Sequence, residues 1–229
     1  MPIIYDCSQP EELLAGMRLA RAAIRRGHLA VIPTDTVYGI AADAFDAKAV
    51  ANLLEAKGRG RQSPPPVLIP GTAQLEALAA SVPDEVRMLA AAFWPGGLTI
   101  VLPAQPSLQW DLGDTHGTVA LRMPRSTVAL DLLAETGPLA VSSANKTGLP
   151  AAKTAQEAAE MLGEEIAVYL DAGPSGADYA DAGEAGGAST IVDATGLAAG
   201  LPVTILRQGV VSAAALRDVL GDRLAGPTP

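Results

Sequence analysis

Three cationic side chains, Lys57, Arg59 and Arg61, stand at alternate positions in the segment KGRGRQSPPP. Its glycines and prolines cannot belong to a helix interior, so the segment reads as a loop or an extended edge. In an extended segment the three share one side, where they can converge on a polyphosphate and stabilise charge developing during phosphoryl transfer. The same letters suit a solubilising loop. PTDTVYG sets Thr34, Asp35, Thr36 and Tyr38 directly after a buried strand, where α/β proteins commonly hold ligands. The hydroxyls can fix a small polar substrate and Tyr38 can supply a ring wall, although an ordinary polar turn with Asp35 bonding its own backbone explains the letters equally well. SSAN, residues 142–145, follows another strand with Lys146 and Gly148 behind it. Its hydroxyls and amide suit a phosphate or a base, and also suit a helix-capping turn.

Other chemistries have little material. The single cysteine, Cys7, allows neither an intrachain disulfide nor a cysteine metal cluster, and His28 and His116 leave no zinc site of the usual kind. Neither histidine lies beside a credible serine motif, so a Ser/His/Asp nucleophile set is unpersuasive. No GxxxxGK[ST] occurs and no GxGxxG follows an expected strand, so both standard nucleotide fingerprints are missing.

The elements that must position these residues alternate between short Val/Ile/Leu runs and Ala-rich helical stretches, the pattern of an α/β fold. Helices are expected over 10–26, 47–56, TAQLEALAA, PDEVRMLAAAF, 126–136, TAQEAAEMLG and VSAAALRDVLGDRL. HLAVIP, VLIPG, LTIVLPA, GTVALRMP, GPLAVSS, AVYLDAG, ASTIVDAT and PVTILRQG read as strands, TDTVYGIAADAFD as a loop, and 173–188 as a glycine-rich acidic loop. The 229 residues suit one domain, and the closing GPTP reads as a frayed tail.

Sixteen Lys and Arg against twenty-five Asp and Glu give a net charge of -9, which argues against a surface built to wrap nucleic acid or an anionic membrane. The start carries acidic residues before any apolar signal core, and no apolar run approaches the roughly 18 residues of a membrane span, so a soluble cytoplasmic protein is expected. From Thr154 to Leu206 there is no cation at all, while Lys57, Arg59, Arg61, Arg122, Lys146 and Arg207 fall at strand ends and in polar loops. Such clustering suits one electropositive cleft for a small anion, or simply exposed loops.

Seven segments in order, PTDTVYGIAADA (33–44), KGRGR (57–61), FWPGGLTIVL (93–102), VALRMP (119–124), SSANKTG (142–148), STIVD (189–193) and ILRQG (205–209), closely resemble the YrdC/Sua5 family of threonylcarbamoyl-adenylate synthases. The resemblance implies an open, twisted mixed sheet with flanking helices and a basic cleft. It implies a synthase joining L-threonine, bicarbonate and ATP, with Mg2+, to give threonylcarbamoyl-AMP and pyrophosphate for tRNA t6A37 biosynthesis, with the product passing to a downstream tRNA threonylcarbamoyl-transfer machinery. It implies that 1–229 is a single catalytic domain of the short bacterial form, with 210–229 a C-terminal helix and short flexible tail.

Carried onto this chain, the family pattern sets Lys57 and Arg59 as the catalytic basic pair near the ATP phosphates, with Arg61 as a neighbour. Ser143, Asn145 and Arg207 fall on the nucleotide side, and Thr34, Tyr38, Arg122 and Ser189 on the threonine side. No acidic pair can be assigned to Mg2+. The chain departs from the family where KxRP becomes KGRGR and where SANxSG becomes SANKTG. A noncatalytic RNA- or nucleotide-binding module of the same fold is the rival reading, and no stable binding of bulk nucleic acid is expected.

Overall fold

The computed structural model describes residues 2–179 and 187–226. Ten strands form one mixed sheet: β1 (Ile4–Asp6), β2 (Ala30–Ile32), β3 (Gly39–Asp43), β4 (Val67–Leu68), β5 (Leu98–Pro103), β6 (Thr118–Arg122), β7 (Leu139–Ser143), β8 (Val168–Asp171), β9 (Thr190–Asp193) and β10 (Thr204–Arg207). Their order is β1-β8-β2-β3-β7-β4-β6-β5-β9-β10. β8 runs parallel to both β1 and β2, β4 parallel to β6, and β5 parallel to β9; the remaining neighbours are antiparallel.

Among the described residues seven α-helices flank the sheet: α1 (Pro10–Ile24), α2 (Ala47–Ala56), α3 (Ala73–Leu78), α4 (Asp84–Phe93), α5 (Thr127–Thr136), α6 (Ala155–Leu162) and α7 (Ala213–Leu220). Their starts follow from capping chemistry. Asp46, Ser126, Thr154 and Ser212 each accept backbone N–H bonds from the first turn of the helix that follows, satisfying donors that have no intrahelical partner. Pro10 with Glu11 and Glu12 opens α1, where a missing N–H and negative charge both suit the helix N-terminus.

Apolar residues of α1 and α5 pack with Ile32, Leu68 and Leu139, whereas those of α2 and α6 pack with Val31, Ile40 and Tyr169. Val31 and Ile32 point to opposite faces, so the two helix pairs cover opposite sides of the sheet. A third apolar cluster joins α3, α4 and α7 to β5, β6 and β9. Strands covered on both sides read as continuous apolar runs, as β2 does with all three residues buried. No helix among the described residues is long and apolar enough to cross a membrane.

Two strands depart from the sequence expectation. TDTVYGIAADAFD is not all loop, because Gly39–Asp43 is a strand hydrogen-bonded between β2 and β7. GIAAD has weak intrinsic strand preference, and the two neighbouring strands supply the pairing that propensity does not. The three residues of β1 are too few to carry a period and are fixed by their parallel pairing with β8. Of the acidic loop expected over 173–188, residues 180–186 lie outside the described residues, as do 227–229 of the expected tail.

Candidate active site

α2 ends at Ala56, and Lys57 is its C-cap with helical backbone angles, so the segment from 57 to 61 is not the extended strip that would align its three cations. The three side chains separate. Lys57 is wholly buried, and its ammonium donates to Ser143 O, to Asn145 O at 2.9 Å and to Asn145 Oδ1 at 3.1 Å. Burial first, and the neighbouring Arg59 charge second, push its pKa down from 10.5 to about 7. Arg59 turns toward the mouth of a cleft, where its Nε donates to Thr147 Oγ1 at 3.3 Å. Arg61 faces away and makes a two-pronged ion pair with Asp111 at 2.8 and 2.9 Å, with Asp114 beside it. The expectation that Arg61 joins the other two is therefore corrected: an acidic pair distant in sequence captures it.

The SSAN element is a folded turn clamped onto that loop. The Asn145 amide donates to Lys146 O and Leu149 O while its oxygen receives Lys57, so the side chain is occupied in holding the turn. Thr147 donates to Lys57 O through both its hydroxyl and its backbone N–H. Ser143 borders the cleft; Lys146 instead pairs with Glu165 on the surface.

Across the cleft, the turn after β2 is organised by a buried ion pair. Arg122, at the end of β6, donates through NH2 to Asp35 Oδ1 at 2.8 Å, through NH1 to Thr36 Oγ1 at 3.0 Å and through Nε to Gly96 O at 2.9 Å. The backbone N–H of Arg125 and the Tyr179 hydroxyl complete the shell of Asp35. Three of the five guanidinium N–H groups of Arg122 are engaged in this way, leaving two N–H groups on a residue that lines the cleft.

The Thr34 hydroxyl is committed to its own turn, donating to Val37 O at 2.6 Å and receiving the N–H groups of Thr36 and Val37. Tyr38 borders the cleft too, but it is wholly buried and its hydroxyl meets Asp171 and Gly173, so it braces the sheet more than it walls a ligand.

The third wall comes from β9 and β10. Ser189 Oγ accepts from Thr99 at 2.9 Å and from Arg207 at 3.1 Å, which leaves its own proton to donate elsewhere. Arg207 also chelates Ser189 O. Burial, followed by the Arg122 and Arg59 charges, lowers the Arg207 pKa. The cleft thus gathers Arg59, Arg122 and Arg207 with Thr34, Thr36, Thr99, Ser143 and Ser189. In a chain of net charge -9, this gathering of arginines, Arg122 paired with Asp35 and Arg59 and Arg207 without a carboxylate partner, suits an anion chemically.

Thr99 and Lys153 were not singled out by the sequence. Thr99 is the hydroxyl within the otherwise apolar run LTIVL, a usable signal, whereas nothing in the spacing marks Lys153. Among the described residues there is no cluster of three or more His, Cys, Asp or Glu side chains able to hold a metal.

Residues 22–209 match the model of the Sua5/YciO/YrdC family, which carries the description telomere recombination. A Mycobacterium tuberculosis protein provisionally named a threonylcarbamoyl-AMP synthase is 52% identical over 217 residues, covering 95% of this chain and 94% of that one. The Pyrococcus abyssi threonylcarbamoyl-AMP synthase is 37% identical over 207 residues, 90% of this chain and 57% of that protein. The crystal structure of Pyrococcus abyssi Sua5 complexed with L-threonine superposes with a TM-score of 0.84 at 34% identity, over 97% of this chain. This chain spans 62% of the length of that structure.

Proposed function

The chain belongs to the Sua5/YciO/YrdC family, and from that premise we propose that it works as a threonylcarbamoyl-AMP synthase. The reaction makes it a nucleotidyltransferase that consumes L-threonine, bicarbonate and ATP in t6A biosynthesis. The observation that carries this reading is the convergence of Arg59, Arg122 and Arg207 on one cleft lined with hydroxyls.

The amine of threonine combines with bicarbonate to give the carbamate and water. A carbamate oxygen then attacks the α-phosphorus of ATP, and the bond to the bridging oxygen breaks to release pyrophosphate. An anion approaches an anion in this step, so the main demand on the protein is fixed positive charge and placement rather than a nucleophile of its own. Arg59 and Arg207 offset the charge on the phosphates and the leaving group. Ser143 hydrogen-bonds the nucleotide, while Lys57 and Asn145 act behind it by holding the turn that presents Ser143.

On the other side, the two remaining N–H groups of Arg122 receive the threonine carboxylate, and the remaining Ser189 proton is donated to a carboxylate or carbamate oxygen. Thr34 and Tyr38 shape this wall through their internal bonds. Family membership implies Mg2+ with ATP. Both Asp35 oxygens already accept hydrogen bonds, and among the described residues no cluster of three or more His, Cys, Asp or Glu side chains could hold an ion, so the ion would enter with the nucleotide substrate. We assign the whole chain to one catalytic domain acting in the cytoplasm and handing its adenylate to the tRNA-modifying transferase.

The test is product formation. Pyrophosphate and an AMP adduct are expected only when L-threonine and bicarbonate are both present, with labelled bicarbonate appearing in the carbamoyl carbon by mass spectrometry. Threonine-dependent pyrophosphate release after rigorous removal of carbon dioxide would overturn the assignment.

A further inference from the structure

We propose that Lys153 is a positioning residue for the amino-acid side of the cleft, an inference that rests on the synthase reading above. Lys153 immediately precedes Thr154, the N-cap of α6, and lies outside the cleft lining. Its backbone is fixed on both sides: its N–H donates to Glu157 Oε2 at 2.7 Å, and its carbonyl accepts from Ser175 N at 2.8 Å. The side chain therefore leaves from a rigid point, with Thr154 capping the helix just behind it.

From there the ammonium reaches Thr36 O at 3.0 Å. Thr36 is the residue whose hydroxyl receives Arg122 and contacts Thr34, so the lysine grips the turn that orients both. The same ammonium lies between two glycines on separate segments. A Cβ added to Gly176 would sit 2.8 Å from Nζ, and one added to Gly187 would collide with it outright. Both glycines have positive φ, +88° and +68°, so each position already disfavours a side chain. Gly187 lies two residues before Ser189.

Lys153 thus bonds two pieces of backbone, the 34–36 turn through its ammonium and the 173–176 segment through its carbonyl, and its ammonium also lies against Gly187 on the approach to β9. Two of these carry cleft groups, Thr34 and Thr36 on one and Ser189 on the other. The ammonium carries three donors, and the missing Cβ atoms at 176 and 187 leave it the room to reach Thr36 O. An arginine brings a wider planar fork in place of the compact ammonium, so it is expected to seat poorly beside the two glycines. On the opposite side of the cleft, Arg59, Ser143 and the 143–147 turn make no bond to Lys153. Its loss is expected to weaken the amino-acid side selectively.

The experiment compares Lys153→Met, Lys153→Arg and Gly187→Ala with the unaltered protein, measuring KM for L-threonine and for ATP, thermal unfolding, and L-threonine binding by calorimetry. Lys153→Met keeps the apolar stem and removes the donor; losing one charge-assisted bond is expected to raise the threonine KM about tenfold while ATP KM stays within about twofold. Lys153→Arg is expected not to rescue, and Gly187→Ala, which displaces the ammonium without changing any charge, is expected to shift threonine in the same direction. Threonine KM unchanged in folded Lys153→Met, full rescue by arginine, or equal rises for threonine and ATP would overturn the inference. Unaltered protein that neither binds threonine nor forms the adduct would instead overturn the synthase reading beneath it.

Discussion

The loop at 57–61 and the turn at 33–38 face each other across one cleft, and they handle charge in opposite ways. In the first, Arg59 stands half-exposed with a hydroxyl as its partner and no carboxylate, so its charge remains available to a ligand. In the second, Arg122 and Asp35 are buried against each other, and nearly every polar group is bonded within the protein before any ligand arrives. The first region contributes electrostatic potential and the second contributes shape. Substitutions should therefore separate them: one side losing rate while the fold holds, the other losing stability as well.

The largest effect is expected at Arg122. Arg122→Met removes one partner of a buried ion pair and leaves Asp35 without its cation, which should cost about 3–5 kcal/mol of folding stability by denaturant titration. Replacing Asp35 by leucine in the same chain should recover part of that stability and none of the activity, because the desolvated charge is gone while the Arg122 donors are still missing. A folded, fully stable Arg122→Met single variant would mean that the pair is not the keystone of the turn.

Next comes Arg59→Ala, expected to lower kcat/KM by about 2–4 kcal/mol of transition-state stabilisation while thermal unfolding stays near that of the parent. Near-normal kcat/KM would remove Arg59 from its proposed role and erase the contrast between the two walls. Thr36→Val, which takes away one acceptor of Arg122 at nearly constant volume, should cost about 1–3 kcal/mol of stability, with the loss visible as a lower Tm. An unchanged Tm would show that the turn holds Arg122 through Asp35 and Gly96 alone.

A further contrast concerns pH. Lys57 has an ordinary pKa of 10.5 in the unfolded chain and one of about 7 when folded. Between those values the unfolded chain binds more protons than the folded one, so this group makes stability rise as pH increases from 7 toward 10.5. The Tm of the parent should accordingly gain on that of Lys57→Met between neutral and mildly alkaline pH. A constant difference between the two proteins would show that the buried ammonium keeps its proton throughout.

How far the fold could be read from the chain depended on whether an element's cause was local. α2 was expected at 47–56 and lies there, because Asp46 caps it and its apolar face repeats with helical period. β3 was missed, because a Gly/Ala strand is specified by its neighbours and not by its own residues. The same division runs through the site. Arg59, Arg122, Arg207, Ser143 and Ser189 line one cleft in the structure; Arg59 and Ser143 stood out as residue types in polar segments, and Ser189 was expected only through the resemblance of seven ordered segments to one family.

Residue types and their order therefore determined the α/β class, the ligand chemistry and the family. Only the tertiary structure decided which cations face the cleft. Arg61 and Arg59 differ by two positions in the chain, yet one is captured by Asp111 and the other has only the Thr147 hydroxyl as partner. Lys57 was expected near the ATP phosphates and lies buried, its ammonium bonded to the turn at 143–145. Lys153 carried no signal at all, because its role depends on two glycines and a carbonyl brought to it from 176, 187 and 36. A charge is written in the sequence, but the groups that surround it, and hence whether it binds, braces or is neutralised, are set by contacts between distant segments.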